Sequence, residues 1–269
     1  MEKIKQALDK ARLERAAEPA VPAWRADEAG GASVTAADIQ YSQTRVQALD
    51  PTVLREHRII CGSDDVTGLT AYKMLRTQVM QRMAARGWNA LAVTSPAPGD
   101  GKSLTAINLA ISLAREMHQT VLLVDMDLRN PSLQKYFGLK VEQGIGDYLL
   151  HGVSMGEILI NPGIERLVLL PGRERQSNSS EILASPAVGT MVQELKQRYP
   201  SRIVLFDLPP VLSADDALSF APYVDAFLLV LREGKTTREE IQQSFELLKD
   251  ATILGTVLNA SDDKIATYH

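Results

Sequence analysis

Three stretches of this 269-residue chain carry residues whose types and spacing suit phosphate chemistry. The first is Ser95-Pro96-Ala97-Pro98-Gly99-Asp100-Gly101-Lys102-Ser103-Leu104. Glycines let backbone N–H groups approach phosphate oxygens closely, and a helix starting there adds a positive dipole end of about half a charge. Lys102 would reach the β- and γ-phosphates, and the Ser103 hydroxyl would join a Mg²⁺ shell. Pro96 stands where the standard phosphate-loop pattern has Gly. The second and third stretches supply acids: Asp125-Met126-Asp127-Leu128-Arg129, and Asp207-Leu208-Pro209-Pro210.

The elements that must position these groups are legible around them. Leu91 to Thr94 is a short apolar run with β-branched residues, which predicts a buried strand, and Leu104 to Glu116 predicts the helix after the loop. Thr120 to Val124 and Arg202 to Phe206 are continuous apolar strands that run straight into Asp125 and Asp207. Ligands of open parallel sheets lie beyond the carboxyl ends of the strands, so three strand ends bring a lysine, a hydroxyl and acids to one point. Further strands are predicted at Leu167 to Leu170, Ala226 to Leu231 and Thr252 to Leu258. Helices are predicted from Ala71 towards Gly87, around Ser132 to Phe137, over Glu181 to Gln197, around Ala214 to Leu218, and from the Thr237/Glu240 capping box to near Asp250. Strands alternating with helices about six times predict an α/β fold, a doubly wound, mostly parallel sheet flanked by helices.

The ends read differently. Met1 to Glu18 predicts a charged helix with a narrow Ile4, Leu8 and Ala11 stripe, open to partner docking or simple solvation. Residues 19–46 have the Ala, Gly, Pro and acid content of a flexible linker. The folded domain is expected over 47–262, with a strand and a short helix between Gln47 and Cys61, and a tail over 263–269 containing Tyr268.

Composition excludes several classes of function. A net charge of −4 without a basic stripe argues against nucleic-acid binding. The single cysteine, Cys61, rules out a disulfide framework within the chain and suits a reducing cytoplasm. Four scattered histidines, His57, His118, His151 and His269, lack zinc-ligand spacing. The charged start, Glu2, Lys3 and Lys5, is unlike a signal peptide, and the longest apolar runs fall well short of the ~20 residues of a membrane span. Membrane contact is expected only through a partner.

The three motifs together resemble those of the bacterial tyrosine kinases, P-loop proteins with deviant Walker motifs. The 95–104 stretch is similar to their Walker A form with Pro before the first Gly. The Asp125 to Arg129 stretch is similar to their Walker A′ motif, and Asp207 to Pro210 to their Walker B motif. The similarity runs from about Thr70 to Asn259. The N-terminal helix and Tyr72 to Thr77 resemble the exosortase-linked exopolysaccharide subgroup.

The resemblance implies an ATP- and Mg²⁺-dependent autokinase that phosphorylates C-terminal tyrosines between neighbours in a homo-oligomer. It also implies a membrane polysaccharide co-polymerase as activator, recruitment to the inner face of the cytoplasmic membrane, and a role in chain synthesis and export. Carried over by residue, Pro98, Gly99, Asp100, Gly101, Lys102, Ser103 and Leu104 would hold the nucleotide, Arg129 would serve phosphate or a subunit contact, and Asn259 would lie near the adenine. Ser103, Asp125 and Asp207 would hold the metal or its waters. Asp127 would orient or deprotonate the incoming tyrosine, and Tyr268 would accept the phosphoryl group. The chain departs from the family at Leu208, where a small hydroxyl is usual. It departs also at Thr70 and Lys73 of the interface helix, where only Arg76 is kept, and in having the lone tail tyrosine. The alternatives are a positioning ATPase of the ParA/MinD type, whose signature lysine is Ala97 here, and a nucleotide-switched scaffold of the exporter.

Overall fold

The computed structural model describes residues 45–61, 66–116, 119–198 and 201–261. The expected N-terminal helix, nearly all of the linker and the Tyr268 tail lie outside the described residues. The first elements are β1 (Arg45–Val46), α1 (Pro51–Glu56), α2 (Val66–Ala84), β2 (Ala90–Thr94), α3 (Lys102–Ala114) and β3 (Thr120–Asp125). Next come α4 (Leu133–Phe137), α5 (Ile145–His151), α6 (Met155–Ile158), β4 (Ile160–Asn161), β5 (Leu167–Leu170), α7 (Ser179–Leu183) and α8 (Pro186–Gln197). The rest are β6 (Arg202–Asp207), α9 (Asp216–Phe220), β7 (Ala226–Arg232), α10 (Arg238–Leu247) and β8 (Ile253–Asn259).

The eight strands form one sheet in the order β1-β4-β5-β3-β6-β2-β7-β8. Every pairing is parallel except β4 with β5, so the sheet is the mostly parallel one that the alternation predicts. Strand β6 lies between β3 and β2, with Asp125 directly beside Asp207 and Val93 beside Asp207 in register. Adjacent strands are about 4.8 Å apart, so the three carboxyl ends fall within one lysine's reach.

The central strands β2, β3, β5, β6 and most of β7 are buried on both faces, and alternate residues feed two cores. Leu91, Val93, Leu123, Leu205 and Leu228 face α2 and α3, while Ala92, Leu122, Val124, Phe206 and Phe227 face the side of α8 and α9. Size is matched across the strands: Ala92 sits between Phe206 of β6 and Phe227 of β7. Phe206 also meets Phe220 edge to face, with ring centroids 5.0 Å apart. Helix α3 is buried along nearly its whole length, as a helix wedged against a sheet must be.

Four details differ from the sequence reading. The helix after the loop begins at Lys102, not Leu104, so Lys102 and Ser103 sit in its first turn. The predicted helix over Glu181 to Gln197 is two helices broken at Ser185, because Pro186 disfavours helical backbone before it and Ser185 is extended, with ψ 148°. The Thr237 helix ends at Leu247, before Asp250, though its capping box forms as expected. Strands β1 and β4, two residues each, carry too short a pattern to read; β1 lies wholly before the expected domain boundary at Gln47, and the strand expected between Gln47 and Cys61 is absent from those residues. Phe206→Ala should cost about 3–5 kcal/mol of unfolding free energy, because it empties the space between Ala92 and Phe220. Urea unfolding monitored by circular dichroism measures this.

Candidate functional site

The loop after β2 is shaped to present its backbone. Gly99 and Gly101 have φ of 82° and 97°, the left-handed region that side-chain-bearing residues avoid. A Cβ on Gly101 would lie 1.9 Å from Asn259 Nδ2, so space as well as conformation demands glycine there. Buried Asp100 closes the loop on itself by accepting the Ala97 N–H at 3.0 Å. The Thr94 hydroxyl donates to Pro209 O at 2.7 Å and ties the loop's root to the segment after β6.

Lys102 leaves the first turn of α3 and crosses towards the strand ends. Its Nζ lies 2.7 Å from Asp127 Oδ2, 3.3 Å from Asp207 Oδ1 and 3.2 Å from Ser103 Oγ. Its side chain is only 11% exposed. Burial works against the charge, but Asp207, Asp127 and Asp125 outweigh it and hold the ammonium above its ordinary pKa.

The acids outnumber the cation that neutralises them. Asp125 Oδ2 accepts the N–H groups of Ser132 at 2.9 Å and Leu133 at 3.0 Å. Burial first and the charge of Asp207 second push its carboxyl up to about 7, despite those hydrogen bonds. Burial also raises Asp207, with Lys102 opposing. Among the described residues, Asp125 Oδ1 and Asp207 Oδ2 are buried with no hydrogen-bond partner. Two orphaned carboxylate oxygens, on adjacent strands and near the Ser103 hydroxyl, are an oxygen donor set suited to a hard divalent cation such as Mg²⁺. Asp127 Oδ1 accepts the Asn130 N–H at 3.0 Å, which aims the second oxygen at Lys102.

The structure thus brings Lys102, Ser103, Asp125, Asp127 and Asp207 together at the end of the loop holding Pro98, Gly99, Asp100 and Gly101. Leu104 contributes its backbone to the first turn of α3 while its side chain packs on the core. Asn259, at the end of β8, donates from Nδ2 to Asp100 O at 2.8 Å and so grips the loop. Arg129 points elsewhere: its guanidinium meets Asp216 at 2.9 Å and Ser180 at 3.0 Å. Leu208 is fully buried in the core, which accounts for a residue without a hydroxyl at that position. Arg76 pairs with Glu116 at 2.8 Å within the chain. Ser132, whose hydroxyl donates to Ser103 at 3.2 Å, was not legible in sequence, nor were Arg232 and Lys235, which contact the loop. Their only signal was position after a strand end.

A phosphate loop at the head of a buried helix, with acids at the ends of the next two strands on one side, β6 and β3, defines a P-loop nucleotide-binding protein. A family model described as ParA, NUBPL iron-transfer P-loop NTPase, matches residues 88–264. Tyrosine-protein kinase YwqD of Bacillus subtilis is 32% identical over 190 residues, 70% of this chain and 79% of that protein. The putative tyrosine-protein kinase EpsB of Ralstonia solanacearum is 32% identical over 211 residues, 76% of this chain but 27% of that much longer protein. The VpsO kinase domain superposes with a TM-score of 0.65 at 28% identity, covering 72% of this chain and 96% of that domain. The chain belongs to the bacterial tyrosine kinase family of P-loop proteins.

The raised Asp125 carboxyl has a consequence for stability. The folded state holds a proton that the unfolded state releases from its ordinary value of 3.8, so folding is favoured at low pH and loses stability as pH rises towards about 7. The ligand-free protein should melt at a lower temperature near pH 8 than near pH 5. Asp125→Asn should flatten that slope and stabilise the protein near pH 8 by on the order of 1–4 kcal/mol. Calorimetry of both proteins across this range, without nucleotide or Mg²⁺, tests it.

Proposed function

We propose that this chain is an ATP- and Mg²⁺-dependent tyrosine autokinase of an exopolysaccharide or capsule system, transferring the γ-phosphoryl group to Tyr268 of a neighbouring copy. The observation that carries the reading is the buried Lys102 ammonium between Asp127 and Asp207, at the end of a glycine loop and beside two orphaned carboxylate oxygens.

Phosphoryl transfer asks a protein mainly for positioning and charge neutralisation. Lys102, released from its acids, would turn to the β- and γ-phosphate oxygens. Ser103, Asp125 and Asp207 would hold Mg²⁺ or its waters, and the ion supplies neutralisation of charge on the transferring group. Asp127 would accept the proton of the tyrosine hydroxyl as its oxygen bonds to the γ-phosphorus and the bond to the β-phosphate oxygen breaks, leaving ADP.

A membrane polysaccharide co-polymerase as activator, assembly into a homo-oligomer, and recruitment to the inner face of the cytoplasmic membrane belong to the same proposal. Among the described residues no helix is long and apolar enough to cross a membrane. Arg76 would have to leave Glu116 to reach a neighbouring copy.

Incubation with radiolabelled ATP and Mg²⁺, followed by phosphopeptide mapping, tests the reading. Label should appear on Tyr268, vanish in Tyr268→Phe, and fall at least ~100-fold in Lys102→Met. Release of free phosphate with no labelled protein, even when the activator's cytosolic segment is supplied, would establish a positioning ATPase or a nucleotide-switched scaffold instead.

A further inference from the structure

Three consecutive carbonyls of the phosphate loop are held from outside by side chains of one distant arm of the fold. The Lys235 ammonium contacts Pro98 O and lies 3.2 Å from Asp100 Oδ1. The Arg232 guanidinium donates to Gly99 O at 2.8 Å, and Asn259 Nδ2 donates to Asp100 O at 2.8 Å. All three come from the end of β7, the turn after it and the end of β8, and they meet the loop across 133 residues or more. None lies in the Walker stretches.

The peptide bonds are all trans. In a planar trans peptide the N–H points opposite to the carbonyl it shares the plane with. Carbonyls 98, 99 and 100 pulled towards the arm therefore turn the N–H groups of Gly99, Asp100 and Gly101 the other way, away from the arm. Successive amides aimed at one point form an anion-binding nest. The left-handed φ of Gly99 and Gly101 permits this shape, but glycine also permits many others. Some outside force has to select it. Two full positive charges and one amide, each on a carbonyl, provide that force, and charge-assisted hydrogen bonds are the stronger kind. Lys235 also pairs with the buried Asp100 carboxylate, whereas the acids at the strand ends, Asp127 and Asp207, are already served by Lys102.

We propose that Lys235, Arg232 and Asn259 are positioning residues that preset the phosphate loop for a nucleoside triphosphate, so that nucleotide affinity depends on an arm remote from the binding motifs. The inference rests on the nucleotide-binding reading above and extends it to residues that need not touch the ligand.

The test measures ATP affinity of the full chain by isothermal titration, beside the melting temperature of each ligand-free protein. Arg232 and Lys235 are exposed, so the Arg232→Met, Lys235→Met double variant should stay folded and melt within about 6 °C of wild type, the loss of the Lys235 pair with buried Asp100 included. Its ATP dissociation constant should rise at least about tenfold, as should that of Asn259→Leu, while Lys235→Arg should stay within about threefold of wild type. In phosphorylation assays the KM for ATP should rise by more than kcat falls. A double variant that binds ATP within about twofold of wild type overturns the inference and leaves the nucleotide reading intact. So does a loss of affinity matched by a loss of ligand-free stability that Lys235→Arg fails to restore, because the contacts would then serve folding alone. If wild type takes up no ATP, the nucleotide reading fails and the inference falls with it.

Discussion

One buried ammonium group organises this site. Lys102 stands among three carboxylates, two of them in direct contact, and a single positive charge cannot neutralise all three. The shortfall shows in Asp125, whose carboxyl is pushed up to about 7, and in the orphaned oxygens of Asp125 and Asp207. Buried charge without full compensation is expensive, and a fold carries it where a ligand will later complete the set. Perturbed acids converging at the end of a loop are a physical pointer to a functional site.

The rest of the architecture keeps those groups in register. Placing β6 between β2 and β3 sets Asp125 beside Asp207 and brings the loop to both. Large side chains on β6 and β7 close over a small one on β2, so the strands that end in the site are locked by packing on one face and by α3 on the other. A site carried on close-packed strands and a buried helix has little freedom to relax its charges apart. The unfavourable electrostatics are thereby offset by the two cores.

The parallel sheet, the loop, the helix behind it and both acidic strand ends were legible because each is local. A run of apolar β-branched residues makes a strand, glycines make the loop, and a carboxylate follows where the strand stops. The break at Pro186 was legible in principle from the proline alone, yet the apolar spacing on either side masked it. Arg129 was less legible. Its place in the Walker A′ stretch suggested phosphate or a subunit contact, and no local pattern records that buried Asp216, 87 residues further on, holds its guanidinium.

Sequence by itself determined which groups could do the chemistry: the ammonium of Lys102, the hydroxyl of Ser103 and the carboxylates of Asp125, Asp127 and Asp207. It also determined that each would sit at the end of a strand or the start of a helix, since composition and periodicity act over a few residues. Only the tertiary structure decided which strands are neighbours, that Arg129 turns away, and that Lys235, Arg232 and Asn259 hold the loop's carbonyls. The physical reason is that contacts between residues far apart in the chain depend on how whole faces pack, and no local pattern records that choice.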